Sequence, residues 1–122
     1  MAITRQHGET EITELVGTRC EEILGVGSKL SDGLSVIFIL LSGIMYKFFI
    51  DESVLFWGES KRDPEEDLDE GESYISLLPH FNIQSPAEVR KIEMKDGKLV
   101  VQFGDCAIEF RNNDDMTHVV KL

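Results

Sequence analysis

The chain has 122 residues, 42% hydrophobic and 29% charged, a composition typical of one globular domain that excludes a disordered chain. Twenty-three acidic residues against twelve Lys and Arg give a formal charge of −11. Because a surface this negative repels phosphate groups, we expect no binding to nucleic acid or to anionic membranes. The charge favours a basic protein as partner, although solubility alone would also explain it.

The N-terminal segment, residues 1–8, is polar, and we expect it to be frayed. Acidic residues stand where a signal peptide would have its apolar segment, which predicts a cytoplasmic protein. The next segment, Glu9 to Val16, is predicted as a short helix, because Ile12 and Leu15 fall on one helical face with Val16. This helix begins the first structural unit, residues 9–57.

The rest of that unit is predicted to be a β-meander. Its strands are expected at Thr18–Val26, Leu34–Leu41, Ile44–Asp51 and Ser53–Trp57, with turn signals such as Asp32-Gly33 and Ser42-Gly43 between them. The middle two strands are apolar on both faces, which is typical of strands that are covered on both sides. Together they approach the length of a membrane span, but the turn, Lys47 and the β-branched residues favour two buried strands.

Residues 58–72 interrupt the apolar pattern. Eight of these fifteen residues are acidic, and Leu68 is the only large apolar side chain among them. Such a segment cannot bury enough apolar surface to become ordered, so we predict a solvated acidic loop. A calcium-binding loop that starts at Asp67 would need Gly at its sixth position and Glu at its twelfth, but the chain has Glu72 and Leu78 there.

The last unit, residues 73–122, is predicted to be a second meander. Its strands are expected at Val89–Lys95, Leu99–Phe103, Cys106–Arg111 and Thr117–Leu122, each with one apolar face and one wetter face. The order of turns, strands and acidic turns from Asp32 to Trp57 recurs from Asp96 to Val120, which suggests an internal repeat.

These patterns predict an α+β protein that is mostly antiparallel β. Two sequence-similar β-meanders would share one core, and the short N-terminal helix would pack on a sheet face. The sequence leaves open whether the strands form a sandwich, a half-barrel or one curved sheet. We expect residues 1–122 to form a single domain.

Motifs of catalysis are missing from the sequence. It has no Cys-x-x-Cys pair, no His-x-x-x-His pair and no Gly-rich phosphate loop, and its three histidines are scattered. Cys20 and Cys106 fall in predicted strands, where a cysteine is typically a small buried hydrophobe. We therefore predict no enzyme activity, no metal site and no cofactor.

The sequence does offer a candidate binding surface, because an aromatic anchor beside many carboxylates suits a Lys/Arg-rich partner. Its predicted residues flank or lie in the acidic loop: Trp57, Glu59, Asp63, Glu65, Glu66, Asp67, Asp69, Glu70, Glu72 and Tyr74. The alternative is that Trp57 belongs to the core and that the loop only keeps the protein soluble.

The function that we predict is an acidic, cytosolic, non-enzymatic binding protein. In its concrete form it is an immunity or antidote protein that neutralises a basic toxin domain, such as a nuclease. One alternative is a structural or assembly module that pairs through an exposed strand, with a homodimer as one form. Another is a β protein that binds a small ligand between the two meanders.

Overall fold

The structure, a computed structural model, describes residues 5–7, 9–60, 70–113 and 116–122, with side chains from residue 9 onward. Its strands are β1 (Arg5–His7), β2 (Thr10–Glu11), β3 (Arg19–Gly27), β4 (Val36–Leu41), β5 (Ile44–Asp51), β6 (Val54–Glu59), β7 (Ser73–Ser76), β8 (Ala87–Lys95), β9 (Lys98–Phe103), β10 (Ala107–Asn113) and β11 (Met116–Lys121). One helix, α1 (Leu77–His80), and two 3₁₀ turns, Thr13–Leu15 and Leu30–Asp32, complete the described elements. The strand pairings are antiparallel, so the prediction of a mostly antiparallel β protein is confirmed.

Two meanders make up one continuous sheet. The strand order is β1-β6-β5-β4-β3-β8-β9-β10-β11, with β2 added to β8 and β7 added to β3. The meanders join where Arg19 and Cys20 of β3 pair with Glu88 and Ala87 of β8. They meet again on the far side, which makes the sheet fold over on itself.

The second junction is a single bridge. Leu34, just before β4, donates to the carbonyl of Thr117 in β11 at 2.7 Å, and the Thr117 amide donates back to the Leu34 carbonyl at 2.8 Å. This bridge ties the last strand of the second meander to the first meander. Side chains of both meanders fill the space that the sheet encloses.

That space is the main hydrophobic core. Alternate residues of β4, β5 and β6 point into it, and Phe48 stacks on Trp57 with ring centroids 5.7 Å apart and planes 7° from parallel. The second meander contributes fully buried residues from three strands: Ile92, Met94, Leu99, Val101, Ile108 and Phe110. Both halves therefore share one core, as predicted.

The opposite face of the first meander carries a smaller apolar cluster. Val26, Val36 and Phe38 are buried there, and Leu24, Met45, Phe49 and Tyr74 pack against them half-buried. Phe49 also stacks on Phe56 at 4.8 Å. The prediction that the middle two strands are covered on both sides is thus confirmed for β4, whereas the outer face of β5 is only half-buried at Met45 and Phe49.

The hairpins that join neighbouring strands use tight turns. Positive φ angles occur at both central residues of three turns, Ser42-Gly43, Glu52-Ser53 and Asp96-Gly97. This pattern is that of type I′ turns, whose twist matches the twist of the flanking strands. Asp32-Gly33 also lies in the connection between two paired strands, β3 and β4, but it ends the 3₁₀ turn Leu30–Asp32 and does not form a tight hairpin turn itself.

The predicted N-terminal helix over Glu9 to Val16 is also not formed. Thr10 and Glu11 pair with Met94 and Glu93 of β8, and the amide of Ile12 donates to the carbonyl of Ile92 at 2.8 Å. Only Thr13–Leu15 forms a helical turn, of the 3₁₀ type. Pairing with β8 satisfies the backbone here, so Ile12 and Leu15 reach the core without a helix.

The eight strands predicted in the two meanders agree with their predicted limits to within two residues. The prediction of a frayed N-terminal segment is wrong for residues 5–7, which form β1 because their backbone pairs with β6. The internal repeat, however, stays a prediction. Hairpin-connected strands around one core resemble one another whatever their origin, so two meanders do not by themselves establish a duplication.

Candidate binding surface

Trp57, the predicted aromatic anchor, lies in the core. Its exposed fraction is 3%, and its ring packs against Phe48 and, at 6.1 Å between centroids, against Tyr46. The alternation of β6 sends Leu55 and Trp57 to the inner face of the sheet. The indole therefore stabilises the core and presents no surface to a partner, which agrees with the alternative that we stated for this residue.

The other predicted binding residues fall into two groups. Asp63, Glu65, Glu66, Asp67 and Asp69 lie outside the described residues, so their role stays a prediction. The second group is described, and it flanks that segment on both sides. Glu59 and Glu70 are exposed there, and Glu72 is half-buried and accepts a hydrogen bond from the Ser35 hydroxyl at 3.3 Å.

Tyr74, the second aromatic residue of the predicted binding surface, is half-buried and packs against the outer apolar cluster. Its ring meets Phe38 edge-on at 6.3 Å, within the outer apolar cluster. The structure thus brings Tyr74 to the outer face and Trp57 to the inner face of the same meander. The two aromatic residues do not form one site.

Sequence analysis missed a convergence of acidic turns. The amide nitrogen of Asn112 in β10 donates to the carbonyl of Ile50 at 2.6 Å, which ties β10 to the end of β5. The β8–β9 turn lies beside the β5–β6 turn, since a Cβ added to Gly97 would be 2.9 Å from the Ser53 hydroxyl. The exposed carboxylates of Asp51, Glu52 and Asp96 therefore share one end of the molecule, which we call the acidic end.

Negative charge is distributed unevenly along the chain. Residues 1–86 hold sixteen of the twenty-three acidic residues and six of the twelve basic ones, a formal charge of −10. Residues 87–122 hold seven acidic and six basic residues, a formal charge of −1. The excess charge is thus carried by the first part of the chain.

Part of the charge of the second meander is held in ion pairs. Glu109 is only 6% exposed and accepts two hydrogen bonds from the Arg111 guanidinium, at 3.2 and 3.4 Å. The ammonium of Lys98 lies 3.8 Å from the same carboxylate. A buried carboxylate needs such partners, because an unpaired buried charge is strongly unfavourable.

The described side chains form no group that could hold a metal ion. Nowhere in that part of the chain do three or more His, Cys, Asp or Glu side chains come together as ligands would. A shallow open groove of about 300 Å³ lies beside β2 and β8, lined by Glu9, Thr10, Glu93, Met94 and Lys95. Its charged lining differs from the mostly apolar pockets that typically bind small ligands.

The two cysteines are free thiols in different surroundings. Cys20 has no exposed surface, and burial raises the pKa of its thiol from 9.0 to about 12, with a smaller contribution from the nearby Glu22 and Glu21 carboxylates. Cys106 is half-buried near the β9–β10 turn. Since the thiolate is the reactive form, we expect the buried, protonated thiol of Cys20 to be unreactive at neutral pH.

A labelling experiment checks that Cys20 is an unreactive thiol in the core. At pH 8 we expect a maleimide or iodoacetamide to modify Cys106 in the native protein and to leave Cys20 unmodified for hours, because Cys20 is both buried and protonated. In denaturant both thiols should react. Mass spectrometry of the native reaction would contradict the description of the core if Cys20 were labelled as fast as Cys106.

Comparison with known proteins found no matching family model, no matching curated protein and no matching solved structure. Among the residues that the structure describes, no helix has the length and apolar character needed to cross a membrane.

Proposed function

We propose that this chain is a non-enzymatic binding protein for a basic protein, and in its concrete form an antidote that neutralises a cationic toxin domain such as a nuclease. The observation that carries the proposal is the charge distribution, with −10 on residues 1–86. Charge of one sign concentrated on one part of a surface attracts a partner of the opposite sign and speeds its encounter.

Two features support this proposal, one from the structure and one from the sequence. The acidic end presents three exposed carboxylates from turns that are far apart in sequence. The predicted acidic loop adds a run of carboxylates that Glu59 and Glu70 flank with exposed side chains. Rigid turns lose little conformational freedom on binding, which favours the acidic end as a docking point.

The packing of the core bears on the alternative that a small ligand binds between the two meanders. Core side chains fill the space between the two meanders, and the cluster holds 23 buried residues of the part of the chain that the structure describes. The small-ligand alternative therefore gains no support from this space. Cytoplasmic location and the absence of enzyme activity remain predictions.

The test compares two variants with the same net charge. One replaces Glu65, Glu66, Asp67, Asp69 and Glu70 by their amides, and the other does the same to the exposed residues Glu11, Glu14, Glu21, Glu88 and Asp105. Immobilised wild-type protein is expected to retain basic proteins from an extract of the native cell. The loop variant should retain at least about tenfold less of them, while the control variant loses much less.

Quantitative mass spectrometry of the retained proteins, followed by reconstitution of the complex from purified components, gives the result. Equal losses in the two variants would mean that the loop carboxylates act only through net charge, and the acidic loop as a binding surface would be wrong. Retention of acidic or neutral proteins, without any basic one, would contradict the proposed class of partner.

A further inference from the structure

The outer face of the second meander carries a row of basic side chains. Lys98 of β9 stands directly opposite Lys95 of β8 on one side and Arg111 of β10 on the other. Arg111 in turn stands opposite His118 of β11. Because neighbouring strands lie about 4.8 Å apart, these four residues, which we call the basic row, span about 14 Å. The basic row holds three of the six Lys and Arg residues in residues 87–122.

The alternation of the strands places the basic row on the solvent side of the sheet. The neighbours of the row along each strand are buried: Met94, Leu99, Phe110 and Thr117. The row therefore projects from the opposite, outer face. The side chains of Lys98 and Arg111 are 49% and 50% exposed there, so both present surface to a partner.

One buried carboxylate compensates the row. Like charges directly opposite each other in a sheet are destabilising, so such a row needs a negative charge nearby. Glu109 provides it, since its carboxylate accepts two hydrogen bonds from Arg111 and lies 3.8 Å from the Lys98 ammonium. Along the described strands β9, β10 and β11, Glu109 is the only carboxylate of the outer face, and it is only 6% exposed. The exposed groups of this face are therefore positive or uncharged.

Arg111 keeps donors for a partner in spite of its pairing with Glu109. Its Nε and Nη2 donate to the two carboxylate oxygens. A guanidinium has five N–H donors, so three of them are left, including both on Nη1. The pairing also holds the guanidinium in place, which lowers the entropic cost of binding a further carboxylate.

Apolar side chains lie beside the basic row on the same face. Val100 and Val120 stand on either side of Glu109, in β9 and β11, and Val120 is 37% exposed. Leu122 is 61% exposed and lies next to Ala107, whose carbonyl accepts a hydrogen bond from the Leu122 amide. The face thus combines a basic margin with an apolar surface.

We propose that this face binds an acidic segment of another protein. Carboxylates of that segment contact the basic row, and its apolar side chains cover Val100, Val120 and Leu122. A nucleic acid fits this face poorly, because β9, β10 and β11 present no aromatic side chain on it for base stacking. A free phosphate anion would leave the apolar side chains uncovered.

The net charge of −11 does not prevent this contact. At about 0.15 M salt, exposed charges more than about 8 Å apart are largely screened, so an approaching segment meets the charge of this face. Carboxylates lie nearest to the β8 end of the row, where Glu9 and Glu93 line a groove together with Lys95. The centre of the proposed contact is therefore Lys98 and Arg111.

Fluorescence anisotropy of a labelled synthetic peptide with the repeat Glu-Leu-Asp-Ser tests the proposal on the full chain at about 0.15 M salt. We expect a dissociation constant below about 1 mM. A peptide with Ser in place of Leu should bind at least about fivefold more weakly, because it cannot cover the apolar surface. Equal binding of the two peptides would overturn the apolar half of the proposed contact.

A triple variant tests the basic row. Lys98→Gln, Glu109→Gln and Arg111→Gln together remove the two central cations and also the carboxylate that would otherwise stay buried without a partner. This variant should bind the Leu-containing peptide at least about tenfold more weakly. The matched control is Arg90→Gln, which changes the net charge by the same amount at an exposed site outside β9, β10 and β11. It should bind like the wild type.

A second pair of variants keeps the proposal falsifiable even if the triple variant folds poorly. Val120→Glu adds a carboxylate to the face, and we expect at least about tenfold weaker binding of the same peptide. The control Ile44→Glu should bind like the wild type, since Ile44 is 41% exposed but lies on the first meander. A wild type that does not bind the peptide, or a Val120→Glu protein that binds it equally well, would overturn the proposal.

Two other occupants of the face are outcomes of the same comparison. Cosedimentation with vesicles of phosphatidylcholine and phosphatidylserine tests a lipid surface, and sedimentation equilibrium without peptide tests a second copy of the chain. Vesicle binding or a concentration-dependent dimer that Val120→Glu abolishes would overturn the choice of an acidic protein segment.

The result is independent of the proposed function, because the peptide contains no basic residue. A chain that fails to bind this peptide can still bind a basic protein through its carboxylates, and a chain that binds the peptide can fail to bind a basic protein.

Discussion

Replacing Phe48 by alanine is expected to lower the free energy of unfolding by about 4 kcal/mol. The side chain has no exposed surface and stacks on Trp57 at 5.7 Å, at the centre of the core that the two meanders share. Truncation would remove this aromatic contact and leave a cavity whose walls are contributed by both halves of the protein. Urea denaturation followed by Trp57 fluorescence measures the loss directly.

The next residue provides a matched control. Phe49 belongs to the same strand and also stacks on a β6 aromatic residue, Phe56 at 4.8 Å, but it is half-buried on the outer face. Phe49→Ala is expected to lower the free energy of unfolding by about 1–2 kcal/mol, because solvent already reaches its ring. Equal losses for the two variants would contradict the assignment of the inner face as the main core.

Gly33→Ala is expected to lower the free energy of unfolding by about 3 kcal/mol, through two effects that add. Gly33 has φ of 89° and ψ of 169°, a backbone conformation that is essentially restricted to glycine. An added Cβ would also lie 2.7 Å from Cβ of Met116 and 3.2 Å from the His118 ring. The methyl group would push β11 away from Leu34 and weaken the bridge that ties the two meanders together.

Gly17→Ala measures the effect of a positive φ at a glycine that has no close contact. Gly17 has nearly the same φ, +88°, but a Cβ added there would meet nothing within 4 Å. We expect Gly17→Ala to lower the free energy of unfolding by about 1 kcal/mol. Thermal denaturation of both variants gives the comparison, and amide exchange of Leu34 and Thr117 should speed up in Gly33→Ala alone. A Gly33→Ala protein as stable as the Gly17→Ala protein would show that the bridge contributes little to stability.

The strands were predictable because their signals are local. Period-two alternation, apolar runs and turn residues such as Ser42-Gly43 and Asp96-Gly97 determine where a hairpin begins and ends. The two-sided burial of β4 followed from the same local pattern, since every residue from Val36 to Leu41 is apolar. Such features do not depend on which distant segment a strand meets.

The errors arose where a distant partner decides the local structure. The spacing of Ile12, Leu15 and Val16 fits a helix, but the available edge of β8 bonds the backbone of Thr10–Ile12 instead. The pair Asp32-Gly33 has a hairpin-type sequence, but the bridge between Leu34 and Thr117 uses Gly33 for a close approach. No local window of sequence contains either partner.

The candidate site was predictable in composition but not in position. The acidic turns were evident, yet only the contact between Gly97 and Ser53 and the Asn112 hydrogen bond to Ile50 bring Asp51, Glu52 and Asp96 to one end. Trp57 stood next to the acidic loop in sequence, and the alternation of β6 then buried it. Proximity in sequence was therefore a poor guide to which aromatic residue a partner could touch.

The dependence of the association rate constant on ionic strength tests the proposed function most directly. Once a basic partner has been purified by capture, stopped-flow mixing with Trp57 or an attached dye as probe gives this constant from about 10 to about 500 mM salt. Attraction by the acidic residues, which give residues 1–86 a formal charge of −10, predicts a fall of at least about tenfold over this range, with a much smaller change in the dissociation rate constant. An association rate constant that stays the same at every salt concentration would contradict the proposal that negative charge selects the partner.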